Sequence, residues 1–228
     1  MTIIFEERLS DSPLIETVIQ GHTVGAGSTI RPSEIHWHMV FVKVGGRVHS
    51  LVVGPQRSSG EARWGADAEI LWIKFKLGTF MPHLRAKEYV DLELALPAAA
   101  CQSFWLNSST WQLPDFENVE TFIHRLVKQE VLVWDPLVTD VLRGQPQDLS
   151  PRTVRHRFLQ ATGLPPGHIE QYERAQRALM LLQQGVSILD TVYELGYYDQ
   201  PHLTRSLQRF LGTTPGRENG RVSAPENY

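Results

Sequence analysis

The chain has 228 residues, 42% hydrophobic and 21% charged, with a formal net charge of −3 and one cysteine, Cys101. This is the composition of a soluble globular protein, with length for one large or two modest domains, and a lone cysteine excludes an intrachain disulfide and a cysteine-rich zinc site. No apolar run approaches the roughly 20 residues of a membrane span, and the start, Met1 to Glu7, has neither a basic region nor a signal-like core, so a cytoplasmic protein is expected.

The charge is unevenly placed. Residues 1–142 carry 12 Lys and Arg against 17 Asp and Glu, whereas residues 143–217 carry 9 Arg, no Lys and 6 Asp and Glu. The second part is therefore the one suited to an acidic partner, and arginine is the better fork for phosphates and guanine edges.

Residues 1–100 read mainly as β. Thr17-Val18-Ile19, His36 to Val44, Val48 to Val53 and Ile70 to Leu77 are β-branched and aromatic runs separated by glycine-bearing turns. Gly45-Gly46 between two of them signals a hairpin. In the last run, Leu71, Ile73, Phe75 and Leu77 make the core face, and Trp72, Lys74 and Lys76 the opposite one. The pattern predicts a small barrel or sandwich. Two features invite function. His36 and His38 point the same way on a strand and His49 is placed to face them across the hairpin, which makes these three the candidates for a metal site. No carboxylate accompanies them at a recognisable spacing, so no cofactor is expected. Trp37, Trp64 and Trp72 are candidates to line an effector pocket, although core is the favoured reading of these residues.

Residues 97–114 read as an irregular connector or short helices. Asp115 to Val131 is an amphipathic helix with a stripe of Phe116, Val119, Ile123, Leu126 and Val127. That stripe suits packing on the β-rich domain or dimerisation. Pro136 opens a short helix that ends near Gly144, and the domain boundary falls at 133–136.

Ser150 caps the next helix, with Pro151 at its first position and Leu149 and Val154 as a hydrophobic staple. Arg152, Arg155 and His156 share one face; Val154 and Phe158 point the other way. A long helix follows, His168 to Gln184, with Ile169, Tyr172, Gln176, Leu179 and Leu182 as its stripe. At 17 residues and about 1.5 Å per residue it makes a rod of about 25 Å. Ser187 to Gly212 then reads as two short helices around a glycine turn. Ser187 caps the first, with Asp190 at its third position, and Gly196 closes it. Asp199 caps the second, with Tyr198 and Leu203 as a staple. Leu203, Leu207 and Phe210 point inward, and His202, Arg205 and Arg209 lie on the other face. Such a pair is either a helix-turn-helix or an ordinary helical hairpin with a solvated charged face.

The residues favour the first. Ser187, Ile188, Gly196, Asp199, Gln200, Leu203, Arg205, Arg209, Phe210, Gly212, Thr214 and Pro215 stand where the second helix-turn-helix of AraC/XylS-type transcription regulators has its pattern. The stretch from Leu149 to Gly163 resembles the recognition helix of their first, and Arg174, Ala178, Leu181 and Leu182 resemble their linker helix. Thr191 and Val192 depart from the usual Ile-Ala, and Val192 is expected to widen the helix crossing. Another departure precedes the first recognition helix, where the candidate helix Pro136 to Arg143 leads into a longer, proline-bearing turn. The resemblance spans about residues 136–217.

The fold class expected is α+β. A β-rich sensor domain at 1–134, cupin-like by the resemblance, precedes an all-α double helix-turn-helix domain at 135–217 and a flexible tail at 218–228. The resemblance implies a bacterial, sequence-specific transcription regulator and not an enzyme. Its partner is double-stranded DNA, with RNA polymerase and a small-molecule effector as further candidates, and the protein works as a monomer or homodimer. It assigns Arg152, Arg155, His156, Gln200, His202 and Arg205 to bases, and Thr153, Thr204 and Arg209 to phosphates. Three alternatives stand beside it. A metal-dependent cupin-type enzyme needs His36, His38 and His49 to bind metal. A DNA-repair protein needs a reactive cysteine, and Cys101 sits in an alanine-rich stretch without a basic neighbour. A helical interaction module needs no DNA at all.

Overall fold

A computed structural model of the protein describes residues 3–218, so the tail expected at 218–228 lies outside the described residues from 219 onward. The strands are β1 Ile3–Leu9, β2 Ile15–Thr23, β3 Gly27–Arg31, β4 His38–Val44, β5 Arg47–Val53, β6 Gly60–Trp64, β7 Glu69–Phe75, β8 Thr79–Phe80, β9 Glu93–Leu96, β10 Ala98–Ala99, β11 Ser103–Leu106, β12 Ser109–Gln112 and β13 Val133–Trp134. The helices are α1 Val119–Lys128, α2 Leu137–Leu142, α3 Pro151–Thr162, α4 Pro166–Gln183, α5 Ile188–Glu194, α6 Gln200–Leu211 and α7 Pro215–Glu218, with one 3-10 turn at Ala86–Glu88. No described helix is long and apolar enough to cross a membrane.

Two compact units result. Of the described residues, the first takes those up to Ser28, then Ile35–Gln56 and Arg63–Pro166; the second takes Thr29–Glu34, Arg57–Ala62 and those from Gly167 to 218. The helix α3 thus belongs with the strands, and α5 and α6 with two short stretches from early in the chain.

In the first unit the main sheet has the order β1-β2-β7-β4-β5-β9, an open sheet with β1 and β9 at its edges. Nothing in that order singles out a cupin barrel. Gly45 and Gly46, both at positive φ (56° and 76°), turn β4 into β5, with Val44 opposite Arg47. These are the paired positive φ angles of a type I′ hairpin, which matches strand twist. In β7, Leu71, Ile73 and Phe75 are buried while Trp72 and Lys74 are not, as the alternation predicts; Lys76 and Leu77 lie beyond the strand, and Leu77, expected on the core face, is only half-buried. The connector expected at 97–114 is instead a three-stranded sheet, β10-β11-β12. Its strands have two to four residues, and its turns place Cys101, Gln102, Asn107 and Ser108 at positive φ without any glycine.

The helix α1 starts later than the periodicity predicts. Its buried residues are Val119, Phe122, Ile123 and Leu126. Phe122 meets Phe41 of β4, Phe104 of β11 and Trp111 of β12 edge-on, with centroids 6.1 to 6.4 Å apart. Phe122 lies outside the expected stripe, and Phe116 and Val127 are half-buried, so the face is shifted from the one the periodicity predicts, and it packs on strands of its own unit. Arg8 of β1 fixes its first turn, donating to Glu120 at 2.6 and 3.0 Å and to the Phe116 carbonyl at 2.6 Å.

Candidate nucleic-acid interface

The second unit is built around α5, a glycine turn and α6. The Ser187 hydroxyl accepts from the Asp190 N–H (3.1 Å) and donates to the Asp190 carboxylate (2.6 Å), which starts α5. The helix ends in a Schellman motif: the Tyr197 N–H reaches the Val192 carbonyl and the Gly196 N–H the Tyr193 carbonyl, with Gly196 left-handed at φ 66°. Of the two residues that replace the usual Ile-Ala, Thr191 is the tightly packed one. It is fully buried, with its hydroxyl donating to the Ser187 carbonyl at 2.9 Å, whereas Val192 is only half-buried.

The Asp199 carboxylate accepts from the His202 N–H at 2.7 Å and opens α6. His202 reciprocates, its Nδ1 accepting from the Tyr198 N–H at 3.3 Å, so two otherwise orphaned donors are satisfied together. The staple from Tyr198 does not form: Tyr198 is 90% exposed. Its neighbour Tyr197 turns in instead, edge-on to His202, under the Arg174 guanidinium at 4.7 Å and with its hydroxyl 3.2 Å from Ser206. Leu203, Leu207 and Phe210 are buried as expected. On the outer surface Gln200, Arg205 and Arg209 are exposed, while His202 and Thr204 are half-buried. His202 therefore has one ring nitrogen committed to its own helix.

The far end of α6 is closed by residues from the start of the chain. The Ser33 N–H donates to the Phe210 carbonyl (2.6 Å), the Ser59 N–H to Arg209 (2.7 Å) and the Ser59 hydroxyl to Gln208 (2.8 Å). The Arg209 and Phe210 carbonyls, which the helix leaves without internal partners, are thereby satisfied, and the Gln208 carbonyl, already bonded by the Gly212 N–H at 3.1 Å, gains a second donor. Ser33 and Ser59 flank the paired strands β3 and β6. Neither serine belongs to a motif, and the Ser58-Ser59-Gly60 stretch reads only as a turn. The helix α4 packs in this unit through His168, Ile169, Tyr172, Ala175, Ala178 and Leu182. Ala175 and Ala178 give a narrow seam, and Gln176, expected in the stripe, is exposed and donates to the Tyr172 hydroxyl at 2.7 Å.

The other candidate helix, α3, lies in the first unit. The Ser150 hydroxyl accepts from the Thr153 N–H at 3.2 Å, and Gly163, at φ 70°, ends the helix. Arg157 forks onto Asp135 (3.0 and 2.6 Å), the Trp37 indole N–H donates to the Ala161 carbonyl (3.2 Å), and Phe158 is fully buried. Asp135 also accepts from the Leu137 N–H, so it starts α2 and anchors α3 at once. Arg152, Thr153, Arg155 and His156 are all outward-facing, with none of them buried.

The remaining candidates are dispersed. His49 pairs with Val42, while Val53 stands opposite His38, so the hairpin register does not bring His49 to the other two. His36 lies 3.0 Å from Glu16, and the His38 Nδ1 accepts from the Trp72 indole at 2.6 Å. No described group of three or more His, Cys, Asp or Glu is placed to hold a metal ion. Trp37 and Trp72 use their N–H groups in the bonds to Ala161 and His38, and Trp64 lies on β6.

A short capped helix, a left-handed glycine and a second capped helix with exposed arginines define a helix-turn-helix protein. Residues 147–219 match a family model described as helix-turn-helix domain. Neither curated proteins nor solved structures match the chain. The matched region is an AraC-type helix-turn-helix domain in C-terminal position, a fold that binds DNA. The match begins beyond α2, where the resemblance to the family's first motif is also weakest.

Proposed function

We propose that α3 and α6 are the two recognition helices of one polypeptide and read successive major grooves of a duplex. Arg152, Arg155 and His156 on α3, and Gln200, His202 and Arg205 on α6, face bases, with arginine to guanine and glutamine to adenine the expected pairings. Thr153, Thr204 and Arg209 meet phosphates. The observation that carries this reading is α6, a capped helix with a fully buried apolar side and Arg205 and Arg209 exposed on the other. His202 contributes its Nε2 alone. The 18 residues of α4 make a rod of about 27 Å, most of the roughly 34 Å between successive grooves on one side of DNA. α6 carries the larger share of specificity, because the family match leaves out the helix preceding α3.

Residues 135–217 form the DNA-reading part in this proposal, and residues 1–134 bind an effector or partner that biases it. The Trp37 bond to the Ala161 carbonyl supports that link, since it ties a strand-region aromatic to α3. Arg205→Ala is expected to weaken specific binding by about 1–3 kcal/mol. Genome-wide DNA binding by the tagged protein, with and without this substitution, tests it; an unchanged binding pattern and affinity would remove Arg205 from the interface.

A further inference from the structure

The segment 82–88 runs beside α3. Ala86 is buried, and a Cβ on Gly163 would stand 3.1 Å from the Ala86 carbonyl oxygen and 2.9 Å from Val90. With Ala86 turned in, Arg85 and Lys87 on either side of it are exposed. Both border a shallow cavity of about 440 Å³ whose opposite wall is the outer face of α3, His156, Leu159 and Gln160. The same face continues to Arg152 and Arg155. Three arginines, a lysine and a histidine thus share one surface. The carboxylate set among them is Glu88, 3.3 Å from Arg85 in an exposed pair, and such a pair exchanges readily for another anion.

A helix seated in a major groove has a phosphate strand on each side, and cations flanking the helix meet those strands. We propose that Arg85 and Lys87 are DNA phosphate contacts, so that the strand-rich region itself completes the interface of α3. The contacts are to the backbone: the two side chains lie beside the helix, and the helix itself presents its side chains to the base edges. The proposal rests on the reading of α3 as a recognition helix.

The test uses the full chain and a duplex selected from a random pool by the wild-type protein, with a scrambled duplex beside it. Binding is measured across a salt series for wild type, Arg85→Ala/Lys87→Ala and Arg205→Ala. The double variant is expected to lower the slope of log affinity against log salt by about 1–2, at about 0.9 per phosphate contact. It is expected to weaken both duplexes alike, with an unchanged melting temperature. An unchanged slope and affinity, while Arg205→Ala still weakens the selected duplex, overturns the phosphate role and leaves the recognition helices standing. A loss confined to the selected duplex also overturns it, because that marks base reading. Should the wild type select no duplex, both readings fall together.

Discussion

Ser59 closes the end of α6 with two donors: its N–H meets the Arg209 carbonyl at 2.7 Å and its hydroxyl the Gln208 carbonyl at 2.8 Å. A residue of the turn before β6 thus completes a helix that begins at residue 200. Ser59→Ala removes one bond and is expected to cost about 0.5–1.5 kcal/mol. Ser59→Pro removes both donors and should cost more. Urea unfolding of the two variants checks the order; equal stability for all three proteins would make these bonds incidental.

Gly212 is the next residue beyond α6. Its φ is 67°, and an added Cβ would lie 2.2 Å from the Ile30 Cγ2. Gly212→Ala is therefore penalised twice, by left-handed backbone and by overlap with Ile30, and is expected to cost about 1–3 kcal/mol. Ile30→Ala should recover the overlap part only. A double-mutant cycle read by thermal melting separates the two; strict additivity would show that Ile30 yields freely.

Glu120 carries the clearest titration. The hydrogen bond from Arg8 holds its carboxyl down at about 2, with the Ser10 hydroxyl adding to the effect and burial opposing it. A carboxylate depressed in the folded state contributes stability that is fully present above its unfolded value of 4.5 and is lost as pH falls toward 2. Glu120→Gln is expected to be less stable than wild type by about 1 kcal/mol near neutral pH. The gap should close between pH 4.5 and 2. Melting curves across that range check it; a gap that persists at pH 2 would point to packing as the cause.

The parts of this protein written in adjacent residues are legible. Ser150, Ser187 and Asp199 cap the helices expected of them, Gly196 and Gly45-Gly46 turn the chain where their neighbours signal a turn, and Leu203, Leu207 and Phe210 are core. Each depends on neighbours within about one helical turn. Adjacent residues mislead where a distant partner decides. Tyr198 has the staple spacing, but Tyr197 takes the inward place because Arg174 and Ser206 are there to receive it. His49 has the right strand and the wrong register. The strands β10 to β12 are too short for periodicity, and their turns use Asn107-Ser108 and Cys101-Gln102 instead of glycine. The base and phosphate assignments on α3 and α6 come from the resemblance, because exposure alone does not say what an arginine touches.

The serines at 33 and 59 bear on how this protein can be rearranged. A fragment starting at residue 135 would keep every residue of α5 and α6 yet leave Ser33 and Ser59 behind; the carbonyls of Arg209 and Phe210 would face water, and that of Gln208 would keep the Gly212 N–H alone. Grafting this reader onto another protein therefore means transplanting three stretches of chain, two of them from the first third of the sequence. A cut at the obvious linker would carry the motif without the clasp that finishes it.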